Sequence, residues 1–508
     1  MQSDDTVEHH HVVIAGSGFS GLGMAIALKR DGIDDLVILE REDDLGGTWR
    51  DNTYPGCACD VPSILYSWSD EQHPDWSRFF APQREIWDYM RGVAERHDVV
   101  RHVRYREELL EAAWDDDAQL WCLRTGTGPM TADVLVSAVG ALSEPSVPDL
   151  PGLGSFAGTA FHSARWDHDH DLTGRKVAVI GTGASAIQFV PHIQPQVAEL
   201  HLFQRTPPWI LPRPEWVMSE RLKRTFRRVP VVQRALRRAI FTLAEARHTA
   251  FTHPRVMAAL NERMGLKHLA AQVPDPELRA KLTPDYRMGC KRILGSSTYY
   301  PAISAPNAAV VTAGIREVVP EGIVDGAGEL HEVDTIIFGT GFKVTDLPIA
   351  HRVRGRDGGT LAETWRGSMK AYLGTAVAGF PNLFVLLGPN TGLGHNSVLF
   401  MIESQTEHVR RVLGFRRRHG LASIEPREEA QESFVAEVDG AMEGSVWTAG
   451  GCQSWYLDAT GRNSTLWPQT VRRFERRLAR FVPTDHRLEL PRATPTVPVG
   501  VESDAVPA

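Results

Sequence analysis

Twice in this chain a run of apolar β-formers enters a glycine-rich loop and leaves it as a helix, over residues 11–30 and again over 176–193. The first copy reads VVIAGSGFSGLGMAIALKR. A strand runs from Val12 to Ala15, the loop is Gly16-x-Gly18-x-x-Gly21 with Phe19 and Ser20 inside it, and the helix carries apolar Leu22, Ala25, Ile26 and Leu28. Glycines at this spacing allow a tight turn, close approach of backbone to a pyrophosphate, and close packing of helix on strand. The helix start adds unpaired N–H groups and the positive end of its dipole. The next strand, LVILE, ends in Glu40, about 20 residues after the last glycine, where a carboxylate accepts from ribose hydroxyls and repels a 2′-phosphate. In the second copy, KVAVIGTGASAIQFV, the loop is Gly181-x-Gly183-x-x-Ala186, with Ala184 and Ser185 in it, and the following strand leads into Arg205-Thr206. A guanidinium at that place pairs with a ribose 2′-phosphate. The chain therefore reads as α/β, with two Rossmann-like dinucleotide-binding domains, FAD in the first and NADPH in the second.

A length of 508 residues suits two to three domains. Residues 1–150 read as the first part of the FAD-binding domain and 151–212 as a linker with the first part of the NADPH-binding domain. Residues 289–378 read as the second part of the NADPH-binding domain, and 379–490 as the second part of the FAD-binding domain. Between them lies 213–288, rich in Arg, Leu and Ala and broken by Pro230, Pro254, Pro274 and Pro276, the composition of a helical insertion. Residues 491–508 are proline-rich and short of large apolar side chains, as in a flexible tail. With 63 acidic and 55 basic residues mixed along the chain, the net charge of −8 gives no nucleic-acid footprint. The start, MQSDDTVEHHH, lacks the features of a secretory signal and no apolar run reaches spanning length, so no stable membrane insertion is expected. Five cysteines then fit a reducing cytoplasm better than a disulfide framework. No metal is expected.

Two longer stretches carry a resemblance. GGTWRDNTYPGCACD holds Gly47, Thr48, Trp49, Tyr54, Pro55, Gly56 and Asp60, and FAGTAFHSARWDHD holds Phe156, Gly158, His162, Trp166 and Asp167. Together with the glycine loops they make the chain resemble class B flavoprotein monooxygenases, specifically type I Baeyer–Villiger monooxygenases. The resemblance implies FAD-, NADPH- and O2-dependent insertion of one oxygen next to a ketone carbonyl, giving an ester or lactone through a C4a-peroxyflavin. It maps the fixed cation of that chemistry onto Arg292, in CKRILGSSTYY, and its counter-charge onto Asp60. Arginine suits the task because it stays protonated and presents a planar fork of donors to a developing anion. Lys291 joins Arg205 and Thr206 on NADPH, while Tyr66, Asn390 and Asn396 join the flavin side. His162 and Trp166 look like parts of a joint that lets the nicotinamide deliver hydride and then move aside. In FVLLGPNTGLGHNSVLFMIESQ a helix is expected to start near Asn396-Ser397, with its positive end toward the flavin. Trp365, Trp447 and Trp455 are candidates for the substrate region.

Other readings stay open at this point. N- and S-oxygenating flavin monooxygenases usually carry tyrosine where Trp166 stands, and thioether oxidation is expected as a side activity. A pyridine-nucleotide disulfide reductase needs a CxxxxC pair, but this chain has Trp49 and then Cys57-Ala-Cys59. Residues 221–238 hold eight Lys/Arg and no acids, interleaved with Leu222, Phe226, Val229 and Leu236, the composition of a membrane-surface helix or of a solvated face. Gly295-Ser296-Ser297 stands where many relatives carry an acid, which leaves the identity of the ketone open. Nothing in the sequence bears on oligomeric state.

Overall fold

In a computed structural model of the protein, residues 7–252 and 254–492 are described. Most of the tail expected over 491–508 lies outside the described residues. Two separate sheets carry the two glycine loops. The first has eight strands, and at its centre Glu8–Ala15 lies parallel to Leu36–Glu40 on one side and to Pro129–Ser137 on the other. Val12, Val13 and Ile14 are completely buried there. A strand covered on both faces reads as a continuous apolar run, as this one does. The second sheet is wholly parallel, with Lys176–Ile180 between Glu199–Phe203 and Thr335–Phe338, and Thr159–His162 at one edge.

The helix Phe19–Arg30 packs Leu22, Met24 and Leu28 into the same core cluster as Val409, Val412 and Leu413 of the helix Leu399–Arg418. Each such side chain, taken from water, contributes about 1.5–3 kcal/mol. That core fixes the first glycine loop against a segment almost 400 positions later in the chain.

The stretch 213–288 is helical as expected, with helices Glu220–Arg228, Pro230–Arg247, Thr249–Thr252, Pro254–Gln272 and Pro276–Lys281. Three of its prolines open helices instead of merely interrupting them, since the first turn needs no N–H from that residue. The basic segment runs antiparallel to residues 64–79. Arg227 pairs with Asp75, the Gln233 amide donates to the His73 carbonyl at 2.8 Å, and buried Arg237 donates to the Ser67 carbonyl at 3.1 Å. One cation of that run is thus a core anchor. Among the described residues no helix is long and apolar enough to cross a membrane.

One expectation is overturned. Cys290 and Cys452, 162 positions apart, form a disulfide, leaving Cys57, Cys59 and Cys122 free. The spacing of the cysteines gives no hint of it, because the fold alone brings the two segments together.

Candidate active site

Gly16 has φ +102°, and a Cβ there would lie 2.7 Å from the Ala138 carbonyl oxygen; at Gly21 it would lie 1.9 Å from that of Gly16. These two glycines are required by the backbone alone. Gly18 differs: nothing lies within 4 Å of where its Cβ would be. It opens on a cavity of about 320 Å³, lined also by Gly16, Phe19, Ser20, Glu40, Gly47, Thr48, Trp49 and Tyr66. No side chain caps the helix that starts at Phe19, so the N–H groups of its first turn are left for an anion. Glu40 is buried at the strand end. One carboxylate oxygen accepts from the Ser17 N–H at 3.1 Å and from the Ser17 hydroxyl, and the other faces Arg50 at 3.0 Å. Arg50 also pairs with Asp51, and the two carboxylates outweigh the burial that opposes its charge. A phosphate-seeking helix end, an acid at the ribose place and an apolar wall from Trp49 and Tyr66 fit an adenine dinucleotide. Arg50 was missed in the sequence because its partner, Glu40, lies on a different element, the strand before its own short helix.

Asn390 and Asn396 stand off this cavity. The Asn390 amide donates to the carbonyls of Asn463 and Leu466, and its oxygen accepts from Arg462 at 2.9 Å. The Asn396 amide donates to Glu245 at 3.1 Å, and the helix expected at Asn396 starts at Leu399 instead. Buried Glu245 pulls the cap residues outward: it also accepts from His395 and from the Val471 and Arg472 N–H groups. Val398, Leu399 and Ile402 of that region do line the cavity.

The second signature ends at Asp60, and there the arginine of CKRILG arrives from the far side. Arg292 meets Asp60 in a bidentate pair, Nε to Oδ2 and Nη2 to Oδ1, both at 2.7 Å. A short parallel pairing of Leu294–Gly295 with Ile210–Leu211 fixes both this arginine and Arg213. Burial opposes ionisation of Asp60, but the Arg292 guanidinium holds its carboxyl below the usual value; Arg292 is itself raised, first by Asp60. Three neighbours went unread in the sequence. Arg213 donates to the Cys59 carbonyl at 2.9 Å and lies 4.4 Å over the Phe80 ring. Tyr456 is fully buried beside Arg292, its phenol pushed up to about 12 by burial. Gln188, on the helix of the second cradle, accepts from the Tyr54 hydroxyl at 3.0 Å and the Ala58 N–H at 3.2 Å, which docks the signature onto that cradle.

In the second cradle Gly183 and Ala184 are exposed, Gly181 and Ser185 are half-buried, and the Thr182 hydroxyl donates to the Thr206 carbonyl at 3.2 Å. Arg205 is exposed and has no carboxylate partner among the described residues. Lys291 lies 5.2 Å over the Tyr286 ring, and burial, then nearby Arg205, lower its ammonium. Lys291 and Arg205 thus lie near each other beside the second cradle.

The residues expected at the joint are placed as follows. His162 closes the strand that pairs with Thr335–Phe338, its Nδ1 accepts from the Ala164 N–H at 3.1 Å, and burial lowers it to about 4. Trp166 packs on Phe161 and on Phe189, both ring pairs at 5.3 Å. Phe156 packs against the second-sheet core, a Cβ on Gly158 would lie 2.2 Å from the Asp334 carbonyl oxygen, and Asp167 caps the turn at Asp169. Of the tryptophans, Trp365 is buried in the first-domain core and Trp447 stacks on Phe251 at 5.4 Å, whereas Trp455 is exposed.

The pattern of the family described as pyridine nucleotide-disulphide oxidoreductase matches residues 13–232. Within the matched stretch, Cys57 and Cys59 are free thiols raised by burial. A Baeyer-Villiger monooxygenase of Streptomyces coelicolor is 48% identical over 504 residues, covering 98% of this chain and 96% of that protein. One of Pseudomonas aeruginosa is 49% identical over 503 residues, covering 98% and 95%. Among solved structures, a closed crystal structure of cyclohexanone monooxygenase matches with a TM-score of 0.86 at 28% identity, over 96% of this chain and all of that one. An oxidized steroid monooxygenase bound to NADP matches with a TM-score of 0.84 at 29% identity, over 95% and 99%.

Proposed function

We propose, because the chain belongs to the Baeyer–Villiger monooxygenase family, that Arg292 is the cation of its oxygenating centre and Asp60 the carboxylate that aims it. The enzyme is an NADPH-dependent flavoprotein monooxygenase that inserts one oxygen of O2 next to a ketone carbonyl to give an ester or lactone. FAD, once reduced, supplies the activation of dioxygen. The protein supplies binding, orientation and charge.

The observation that carries the assignment is the bidentate Arg292–Asp60 pair. It engages Nε and Nη2, which stops the guanidinium from rotating and leaves Nη1 outside the pair. A cation fixed before reaction stabilises negative charge that develops on oxygen without reorganising at that moment. Arg213 and Tyr456 add positioning: one adds a second positive charge near Asp60, and the other is a buried phenol packed beside Arg292. Gly16, Gly18, Ser20, Glu40, Gly47, Thr48, Trp49 and Tyr66 would hold FAD. Gly181, Gly183, Ser185, Arg205, Thr206 and Lys291 would hold NADPH. His162, Trp166 and their strand would keep the two in register.

The test is Arg292→Ala. Flavin reduction by NADPH should stay within about threefold, while ester formation falls by about 10² to 10³, the usual effect of removing one oxyanion donor. Retained ester formation would mean that the cation lies elsewhere. Thioethers are proposed as a second substrate class, checked by sulfoxide yield in the same assay. The need for NADPH supports a cytoplasmic enzyme, although a disulfide is uncommon there.

A further inference from the structure

The Cys290–Cys452 bond stands two residues before Arg292. It ties the segment that carries Lys291 and Arg292 to the turn that carries Trp455 and Tyr456. Beside it, the two segments share a backbone hydrogen bond and a buried apolar cluster. The Arg287 N–H donates to the Gly450 carbonyl at 3.0 Å, and Gly450 lets Cys290 approach so closely that a Cβ there would lie 2.6 Å from that of Cys290. Gly450 and Gly451 head the turn, so its backbone loses more freedom on ordering than most. Below the seam, Cys290 packs with Trp209, Met288, Trp447 and Tyr456 in one buried cluster. Tyr456 in turn sits against Arg292. The disulfide therefore closes a ring of contacts that runs from Arg292 through Cys290 and Cys452 to Tyr456 and back.

We propose that Cys290 and Cys452 are positioning residues: their bond braces the Arg292 guanidinium between the Asp60 carboxylate and the Tyr456 phenol, and without it oxygenation uncouples from NADPH oxidation. The inference rests on Arg292 being the oxygenating cation. Reacting groups need placement to a fraction of an ångström, and an error of about 1 Å costs about 10² in rate. A guanidinium that wanders from its place leaves activated oxygen to leave as hydrogen peroxide. Formation of the brace is balanced by the enzyme's own co-substrate: two thiols lose two protons and two electrons, and O2 takes up both to become hydrogen peroxide. A dithiol reductant reverses the bond and is itself oxidised.

The experiment uses the flavin-loaded enzyme and a ketone that it converts. Ester formed and hydrogen peroxide released per NADPH are measured for untreated enzyme, dithiothreitol-treated enzyme, Cys452→Ser, and the Cys290→Ala/Cys452→Ala double variant. Thiols titrated in denaturant report the bond: the structure leaves three free cysteines when it is intact, and the sequence has five in all. Bond-free forms should lose about fivefold or more of ester per NADPH, with peroxide making up the difference. Flavin reduction by NADPH should change by less than about twofold, and dithiothreitol should do nothing further to either variant. Where one bond-free form loses its flavin, the others give the same readout. Unchanged coupling with five thiols titrated, even alongside a lower melting temperature, would reduce the bond to a stability staple and overturn the proposal. So would five thiols in untreated enzyme. If Arg292→Ala still forms ester, it is the assignment of the cation that fails, which separates the two outcomes.

Discussion

In the first cradle the strand-end carboxylate is already held by Ser17 and Arg50, and the glycine loop opens on a cavity walled by a second signature. In the second, Gly183, Ala184 and Arg205 stand exposed, and among the described residues Arg205 has no carboxylate partner. The same strand–loop–helix unit thus appears once as a finished socket and once as an open ledge. Such a contrast suits two nucleotides held in different ways.

The contrast breaks most severely at the third glycine of the first loop. At Gly21 any side chain collides with the Gly16 carbonyl oxygen at 1.9 Å, so Gly21→Ala should yield protein with under about a tenth of the normal flavin absorbance per chain. At Gly183 the nearest atom to an added Cβ is the Gly339 carbonyl oxygen at 3.7 Å, so Gly183→Ala should keep its flavin and raise the KM for NADPH only a few-fold. Equal flavin loss in both would mean that the two loops are not built differently. Next in size is Arg205→Ala. Loss of one charge-assisted contact to a 2′-phosphate should raise the KM for NADPH about 10- to 100-fold and leave that for NADH nearly unchanged. The NADPH effect should shrink as salt is added, while flavin retention should not respond.

The sequence was most legible where one short segment does the whole job. Gly16, Gly18 and Gly21 fall at their spacing within six residues, and the strands Val12–Ala15 and Lys176–Ile180 announce themselves by composition. Arg292 and Asp60 were reached through resemblance, not through any local pattern, since 232 positions separate them. Arg213, Gln188 and Tyr456 were illegible for the same reason: each matters through a partner that only the fold supplies. The misplaced helix start at Asn396 has a sharper lesson. Asn396 and Ser397 do accept N–H groups, from Ser397 and Leu399, but just ahead of a helix that starts at Leu399, while the Asn396 amide donates to Glu245 of the distant insertion. The disulfide shows that counting cysteines and guessing a compartment says little about which pairs the fold will bring together.

A smaller effect concerns the ledge alone. Burial and Arg205 lower the Lys291 ammonium, so rising pH neutralises it before an ordinary lysine. The KM for NADPH should therefore climb at alkaline pH, by up to about tenfold, with NADH flat across the same range. Lys291→Arg should keep the charge and remove the climb. A climb that persists in Lys291→Arg would assign it to another group.

The smallest effect tests the joint between socket and ledge. His162 is buried, its Nδ1 accepts a backbone N–H, and it is held near 4 against an ordinary value of 6.5. Between those two values the unfolded chain binds a proton that the folded chain refuses. Its contribution to stability is thus complete above about pH 6.5 and is lost as pH falls toward 4, at roughly 1.4 kcal/mol per pH unit. Buried His408, also lowered to about 4, adds a parallel slope, so wild type alone cannot isolate the joint. The difference between wild type and His162→Gln does. Measured by denaturant unfolding at pH 7, 6 and 5, that difference should narrow as the pH drops, because only wild type must exclude the proton at this site. Curves that stay parallel would show that the imidazole at the joint opens to water, and that socket and ledge are coupled through Trp166 and the paired strands alone.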